Sequence, residues 1–186
     1  MNEISEQVKK SFMRNFVFKI LIAGDGGVGK TTLLRRYVNG IFDDSTIQTI
    51  GVDFFIKELH LEDLKASCTL QLWDLGGQER FRHMLESFVM GARAALLLFD
   101  LTNMPKIEGI LNWVNIVRSH DINLPILFVG TKLDLGELVA VDDDTALDIK
   151  NTFNMIDFLK TSSKTGHNVE VVFENISKYL IQNYKF

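Results

Sequence analysis

A chain of 186 residues, 46% hydrophobic and 24% charged, has the make-up of one globular domain with a sizeable core. Its net charge of −4, without any block of Lys and Arg, argues against nucleic-acid binding, and no apolar run approaches the length of a membrane span. Cys68 is the sole cysteine, which excludes an internal disulfide and suits a reducing compartment.

Residues 1–15 read as a polar extension, expected to be flexible, ahead of a domain covering 16–186. Ile4, Val8 and Phe12 fall at helical spacing, but a frayed tail is the preferred reading. The N-terminus has no apolar signal core, Asn2 stands where myristoylation needs glycine, and the final residues offer no cysteine to prenylate. A cytoplasmic protein with no direct lipid anchor visible in these residues is expected, with a longer natural chain, an adaptor or the N-terminal segment as open routes to a membrane.

Phe16–Ile22 reads as a first strand. Gly24-Asp25-Gly26-Gly27-Val28-Gly29-Lys30-Thr31 follows it and fits the phosphate-loop pattern GxxxxGK[ST]; Leu33–Val38 then continues as a helix. Strand, glycine-rich loop and helix N-terminus in that order let backbone N–H groups converge on a polyphosphate. Lys30 supplies a full positive charge and Thr31 a hydroxyl where Mg²⁺ would sit. An ordinary glycine turn is the competing reading, and the Lys-Thr pair at this offset speaks against it.

Val52–Leu61 and Cys68–Trp73 form a hairpin across the turn Glu62–Ser67. Asp74 then lies where a carboxylate approaches Mg²⁺. Gly77 can offer its N–H to a terminal phosphate, and Gln78 can both donate to and accept from a water. Ala94–Leu101 and Pro125–Val129 are buried strands. Pro105 opens a helix with Ile107, Ile110, Leu111, Val114 and Val117 at helical spacing. Thr131-Lys132-Leu133-Asp134 follows, and a carboxylate at Asp134 suits the two N–H groups on one edge of guanine, a pair adenine lacks. Asp142-Asp143-Asp144 begins another helix with its acidic charge at the favoured end. Ile156–Leu159 is a last strand and Val169–Tyr184 a last helix. The alternation predicts an α/β three-layer P-loop NTPase fold: a mostly parallel sheet of about six strands, one hairpin strand antiparallel, helices on both faces, and the ligand beyond the carboxyl ends of the strands. The histidines His60, His83, His120 and His167 show no metal-ligand spacing.

With these motifs in order over about residues 16–184, the chain resembles the Ras-like small GTPases, most nearly the Rab branch. Ile50-Gly51-Val52-Asp53-Phe54 and Trp73…Gln78-Glu79-Arg80-Phe81 are Rab-like. The combination of Trp73–Gln78 with Thr131–Asp134 is similar to septation-type relatives, and the Gly76-Gly77 pair to the Arf branch. The resemblance implies GTP or GDP with Mg²⁺ as ligands. Gly26, Gly27, Val28, Gly29, Lys30, Thr31 and Thr32 would hold the phosphates. Thr31 and Thr49 would ligate Mg²⁺, with Asp74 acting through water. Thr49 in the first switch and Gly77 in the second would touch the γ-phosphate only in the GTP state, and Gln78 would orient the attacking water. Phe42 would pack on guanine, the stem of Lys132 would lie along it, Asp134 would read it, and Thr161 to Lys164, including Ser162 and Ser163, would form the last base loop. Effectors, exchange factors and GTPase-activating proteins would read the switches through Ile50, Val52, Phe54, Trp73, Phe81 and Phe88. A monomer is the default.

Three departures stand out. Thr131 replaces the usual Asn, which implies a looser hold on guanine or faster exchange; Thr131→Asn should then slow nucleotide release. Gly76 replaces Ala, which implies a more flexible second switch, and Ser163 replaces Ala with little expected effect. No arginine supplied in cis is evident, so intrinsic hydrolysis is expected to be slow, with Gly26 leaving room for a partner's arginine. Two other readings compete: a nucleotide-binding scaffold without turnover, which the presence of Lys30, Thr49 and Gln78 disfavours, and an ATP-using P-loop enzyme, which Asp134 disfavours.

Overall fold

The computed structural model describes residues 13–43, 49–78 and 85–184. Six strands form one sheet in the order β2-β3-β1-β4-β5-β6. They are β1 (Arg14–Ala23), β2 (Val52–Leu61), β3 (Ala66–Leu75), β4 (Ala94–Asp100), β5 (Ile126–Thr131) and β6 (Asp157–Lys160). The helices are α1 (Lys30–Asn39), α2 (Glu86–Val89), α3 (Ile107–Val117), α4 (Asp143–Thr152) and α5 (Val169–Gln182). Only the β2–β3 pair is antiparallel.

β4 and β5 are buried at every position, the signature of parallel strands covered on both faces, and their unbroken apolar sequences follow from it. Alternate residues feed two cores. Phe18, Ile20, Ile22, Leu96 and Leu98 face α1 and α5, where Leu33, Leu34, Val172, Phe173 and Ile176 pack against them. Leu21, Ala23, Ala95, Leu97 and Phe99 face the other way, against Val89, Ile110, Trp113, Val114, Val117 and Ile149. Tyr37 of α1 stacks on Phe173 of α5 with ring centroids 3.8 Å apart, which ties the two helices over the first core.

β1 begins at Arg14, inside the segment read as an extension, because the Arg14 N–H donates to Lys65 O at 3.0 Å and the register with β3 runs from there. Residues 1–12, with Ile4, Val8 and Phe12, lie outside the described residues. The hairpin turn contains a short 3-10 segment, Glu62–Leu64, and closes at Lys65 in the left-handed region. In α3 the apolar spacing divides between two faces. Ile110, Trp113, Val114 and Val117 are buried, whereas Ile107 and Leu111 stay exposed, since one residue is about 100° around a helix and only one stripe meets the sheet. The acidic start of α4 is a true cap, with Asp142 Oδ1 accepting from the Thr145 N–H at 2.8 Å. Among the described residues, no helix is long and apolar enough to cross a membrane.

The topology gathers the motifs. Loops after β1, β3, β4, β5 and β6 all leave the same edge of the sheet. Because β2 runs antiparallel to β3, its start, next to Thr49–Gly51, lies at that edge as well.

Candidate functional site

At this edge lies a cavity of about 560 Å³. One end is walled by the phosphate loop and the start of α1: Gly26, Gly27, Gly29, Lys30, Thr31 and Thr32. Lys30 is buried at 6% exposure, and its Nζ donates to Gly24 O at 2.8 Å and Asp25 O at 2.9 Å. These bonds fold the loop around its own ammonium, so the positive charge stays inside the ring of backbone N–H groups. Gly29 caps α1 in the left-handed conformation and leads the loop into the helix N-terminus.

The rest of the wall is formed by Thr131, Lys132, Asp134, Leu135, Ser163 and Lys164, and Phe42 lines the same space. Lys132 has a left-handed backbone (φ 62°) and an ion pair from Nζ to Asp100 Oδ2 at 2.7 Å. Burial alone would raise the Asp100 carboxyl, but hydrogen bonds from Lys132 and Thr102 outweigh it and hold the group below its ordinary value. The pair fixes the far end of the Lys132 side chain, which lines the cavity. Asp134 Oδ1 accepts from Ser162 Oγ at 2.6 Å, and Ser162 Oγ in turn accepts from the Thr165 N–H at 3.1 Å. The carboxylate is thereby oriented before any ligand arrives.

At the start of α1, the Thr31 and Thr49 hydroxyl oxygens are 2.7 Å apart. Thr31 also donates to Asp74 Oδ2, and Thr49 Oγ1 lies 3.4 Å from the same oxygen. Asp74 is fully buried beneath them, and its Oδ1 has no partner among the described residues. Burial drives its carboxyl upward, against the Thr31 bond and the Lys30 charge, which pull it down. A buried carboxylate with an orphaned oxygen under two converging hydroxyls is chemistry suited to a hard cation. Adjacent oxygens of a Mg²⁺ octahedron stand about 2.9 Å apart for bonds of about 2.0–2.1 Å, close to the hydroxyl pair seen here. Among the described residues no group of three or more His, Cys, Asp or Glu could hold a metal ion.

Gly76 and Gly77 connect the parts. The Gly76 N–H donates to Gly51 O at 2.8 Å. A Cβ on Gly76 would lie 2.7 Å from Gly51 O and 3.0 Å from Thr49 O; one on Gly77 would lie 2.5 Å from both the Asp25 carbonyl carbon and Gly26 N. The glycine pair is thus clasped between the Thr49–Gly51 backbone and the phosphate loop. Gly76 is a position of close backbone approach, where an added Cβ requires the Thr49–Gly51 backbone to shift. Gln78 follows into the cavity.

Three predicted site residues stand behind the lining: Val28, Asp74 and Ser162. Thr131, 3% exposed, donates its hydroxyl to Val28 O at 2.7 Å and lies 2.9 Å from Phe99 O. This short side chain therefore links β5 to the phosphate loop. Removing it by Thr131→Val orphans the buried Val28 carbonyl. The expected loss is about 1–3 kcal/mol of stability, read by denaturant unfolding, together with faster nucleotide release. Asp43 and Leu135 line the cavity without having been predicted, and neither position carries a spacing signal.

Outside the cavity the expected aromatic cluster forms. Phe54 and Trp73 meet edge to face at 5.3 Å, and Trp73 and Phe88 lie 6.2 Å apart. Lys19 Nζ sits 4.0 Å from the centre of the Trp73 ring and donates to Met90 O at 2.9 Å. Phe54 is 45% and Ile50 74% exposed, while Trp73, Phe88 and Val52 are half-buried. Phe81 lies outside the described residues.

Comparison with known proteins agrees with this geometry. The Ras family model matches residues 19–182. The chain is 33% identical to the Ras-related protein Rab-19 of Rattus norvegicus over 168 residues, covering 90% of this chain and 76% of that protein. It is 36% identical to the Ras-related protein Rab-8B of Dictyostelium discoideum over 175 residues, covering 94% and 85%. The Ras-related protein RABA1f of Arabidopsis thaliana is 37% identical over 166 residues, with 87% and 74% covered. The family model over most of the chain and these relatives, with the GxxxxGK[ST] loop and Asp134 on one cavity, identify it as a member of the Ras family: a GTP-binding small GTPase near the Rab branch.

Proposed function

We propose that this protein is a molecular switch that binds GTP or GDP with Mg²⁺ and hydrolyses GTP slowly until a partner accelerates it, acting in intracellular signalling or vesicle trafficking. The observation that carries this reading is that a single cavity is lined by the Lys30 loop, by Asp134 and by the Thr31 and Thr49 hydroxyls, with the Asp74 carboxylate bonded to Thr31 behind them.

In this reading Gly26, Gly27, Val28, Gly29, Lys30, Thr31 and Thr32 hold the phosphates, and Asp134 takes the two guanine N–H groups. Phe42 and the Lys132 stem enclose the base, while Thr131, Ser162, Ser163 and Lys164 shape its pocket. Thr31 and Thr49 hold Mg²⁺, with Asp74 acting through water. The cation, when bound, neutralises charge on the phosphate oxygens. Gln78 orients a water in line with the γ-phosphate, and the Gly77 N–H and Lys30 stabilise charge that builds on the terminal oxygens. Loss of the γ-phosphate releases Thr49 and Gly77, and both switches relax. Effectors, exchange factors and activating proteins then distinguish the states through Ile50, Val52, Phe54, Trp73, Phe81 and Phe88. The protein acts as a cytoplasmic monomer that partners recruit to membranes.

The test is titration of purified protein with GTP, GDP and ATP in Mg²⁺, followed by phosphate release over hours. Tight guanine binding with turnover on the order of 10⁻⁴ per second is expected, as for the related enzyme of known mechanism. Gln78→Leu should lower both the intrinsic and the partner-stimulated rate; unchanged rates would remove Gln78 from its role. Guanine binding with no phosphate release would favour a non-hydrolysing scaffold, and preference for ATP would overturn the reading.

A further inference from the structure

Asp25 is the second residue of the phosphate loop, and the nucleotide reading makes no use of its side chain. Its Oδ1 accepts from Trp113 Nε1 at 2.8 Å. Trp113 belongs to α3, is 1% exposed and packs among the residues of the second core. The bond spans 88 residues of sequence and joins a helix on one face of the sheet to the loop at its edge. The same residue is gripped elsewhere. Its carbonyl accepts from Lys30 Nζ, and Gly77 of the second switch abuts its backbone so closely that a Cβ there would lie 2.5 Å from the Asp25 carbonyl carbon. Beside the tether is a second cavity of about 530 Å³, lined by Asp25, Gly26, Gly27 and Trp113 among others. On that side the loop adjoins open space, so the Asp25–Trp113 bond is placed to hold it there.

We propose that Trp113 is a positioning residue for the phosphate loop: through Asp25 it fixes the bend from Gly24 to Gly27, and with it the surface on which Gly77 rests, so that α3 sets nucleotide release and hydrolysis. The indole ring of Trp113 is 1% exposed and fixed in the second core, so its N–H offers Asp25 a partner of set position and direction. Cutting it frees the loop to shift toward the second cavity. Lys30 and the backbone N–H groups then lose their alignment, and small displacements of such groups are costly.

The inference rests on the cavity being the nucleotide site, and the experiment separates the two. In the full chain, Trp113→Phe keeps an aromatic ring and deletes the donor; Asp25→Ala deletes the acceptor at an exposed position and leaves the core intact. Each is expected to speed release of a fluorescent GDP analogue about three- to tenfold and to slow single-turnover GTP hydrolysis by a similar factor. The double variant should be no worse than the more severe single variant, because both cut one bond. A fall in melting temperature with release and hydrolysis unchanged would overturn the proposal, and so would additive effects in the double variant. If Trp113→Phe fails to fold, Asp25→Ala decides alone: an unchanged release rate overturns the tether. Failure of the unmodified protein to retain GDP would bring down the nucleotide reading and the tether with it, whereas retention with unaltered variants brings down the tether alone.

Discussion

Replacing Asp134 by alanine lowers the affinity for GDP by about 10²–10⁴-fold and removes most of the preference for guanine over adenine. The estimate follows from two hydrogen bonds to a charged acceptor, each contributing about 1.5–3 kcal/mol, with about 1.4 kcal/mol per tenfold change in affinity. The wild-type carboxylate is held in advance by Ser162 Oγ at 2.6 Å, so ligand binding bears little of the entropy of orienting it. The variant leaves the phosphate loop, Lys30 and the Thr31–Thr49 pair untouched, and binding of the phosphates should persist. Calorimetric titration of GDP and ADP into both proteins reads the difference. A guanine affinity within threefold of wild type would show that Asp134 does not read the base, and the assignment of this end of the cavity would have to be abandoned.

What could be read before the structure was known divides along physical lines. β4 and β5 were legible because a strand covered on both faces must be apolar at nearly every position, and Ala94–Phe99 and Ile126–Val129 are. The phosphate loop and Asp134 were legible because their chemistry fixes residue type and spacing over a few neighbours. The start of β1 was not, since Arg14 and Asn15 are polar and only their pairing with Ala66 and Ser67 makes them strand. The opposite fates of Ile107 and Ile110 depend on which stripe of α3 meets the sheet, a tertiary fact that periodicity leaves open. The bond between Asp25 and Trp113 links segments far apart in sequence, and neither residue has a local signature for it. Likewise, Thr131 looks like an impoverished base contact when compared with asparagine. Its hydroxyl in fact holds the phosphate loop through Val28 O, a role visible only once β5 and the loop lie side by side.

Replacing Gly77 by alanine cuts GTP hydrolysis by about 10²-fold while changing GDP release by less than about threefold. The cause is steric. The added methyl would meet the Asp25 carbonyl carbon and Gly26 N at 2.5 Å and Asp25 O at 2.7 Å, all backbone atoms with no rotamer to yield. Either the second switch or the phosphate loop must move. The loop is pinned by Lys30 at Gly24 O and Asp25 O, by Trp113 at Asp25 and by Thr131 at Val28 O. The switch is held on its far side chiefly by the Gly76 N–H to Gly51 O bond, so the switch is the part that gives way. Its displacement carries Gln78 and the Gly77 N–H away from the γ-phosphate position, and a shift of about 1 Å at a reacting centre costs about 10²-fold in rate. In the proposed reading Gly77 meets only the γ-phosphate, which GDP lacks, so release should hold nearly constant. Single-turnover phosphate release and displacement of labelled GDP measure the two quantities on one preparation. If release quickens in step with the loss of hydrolysis, it is the loop that moved, and the three pins on it are weaker than their geometry implies. If neither quantity changes in a folded variant, the close approach of Gly77 to Asp25 has no part in the reaction.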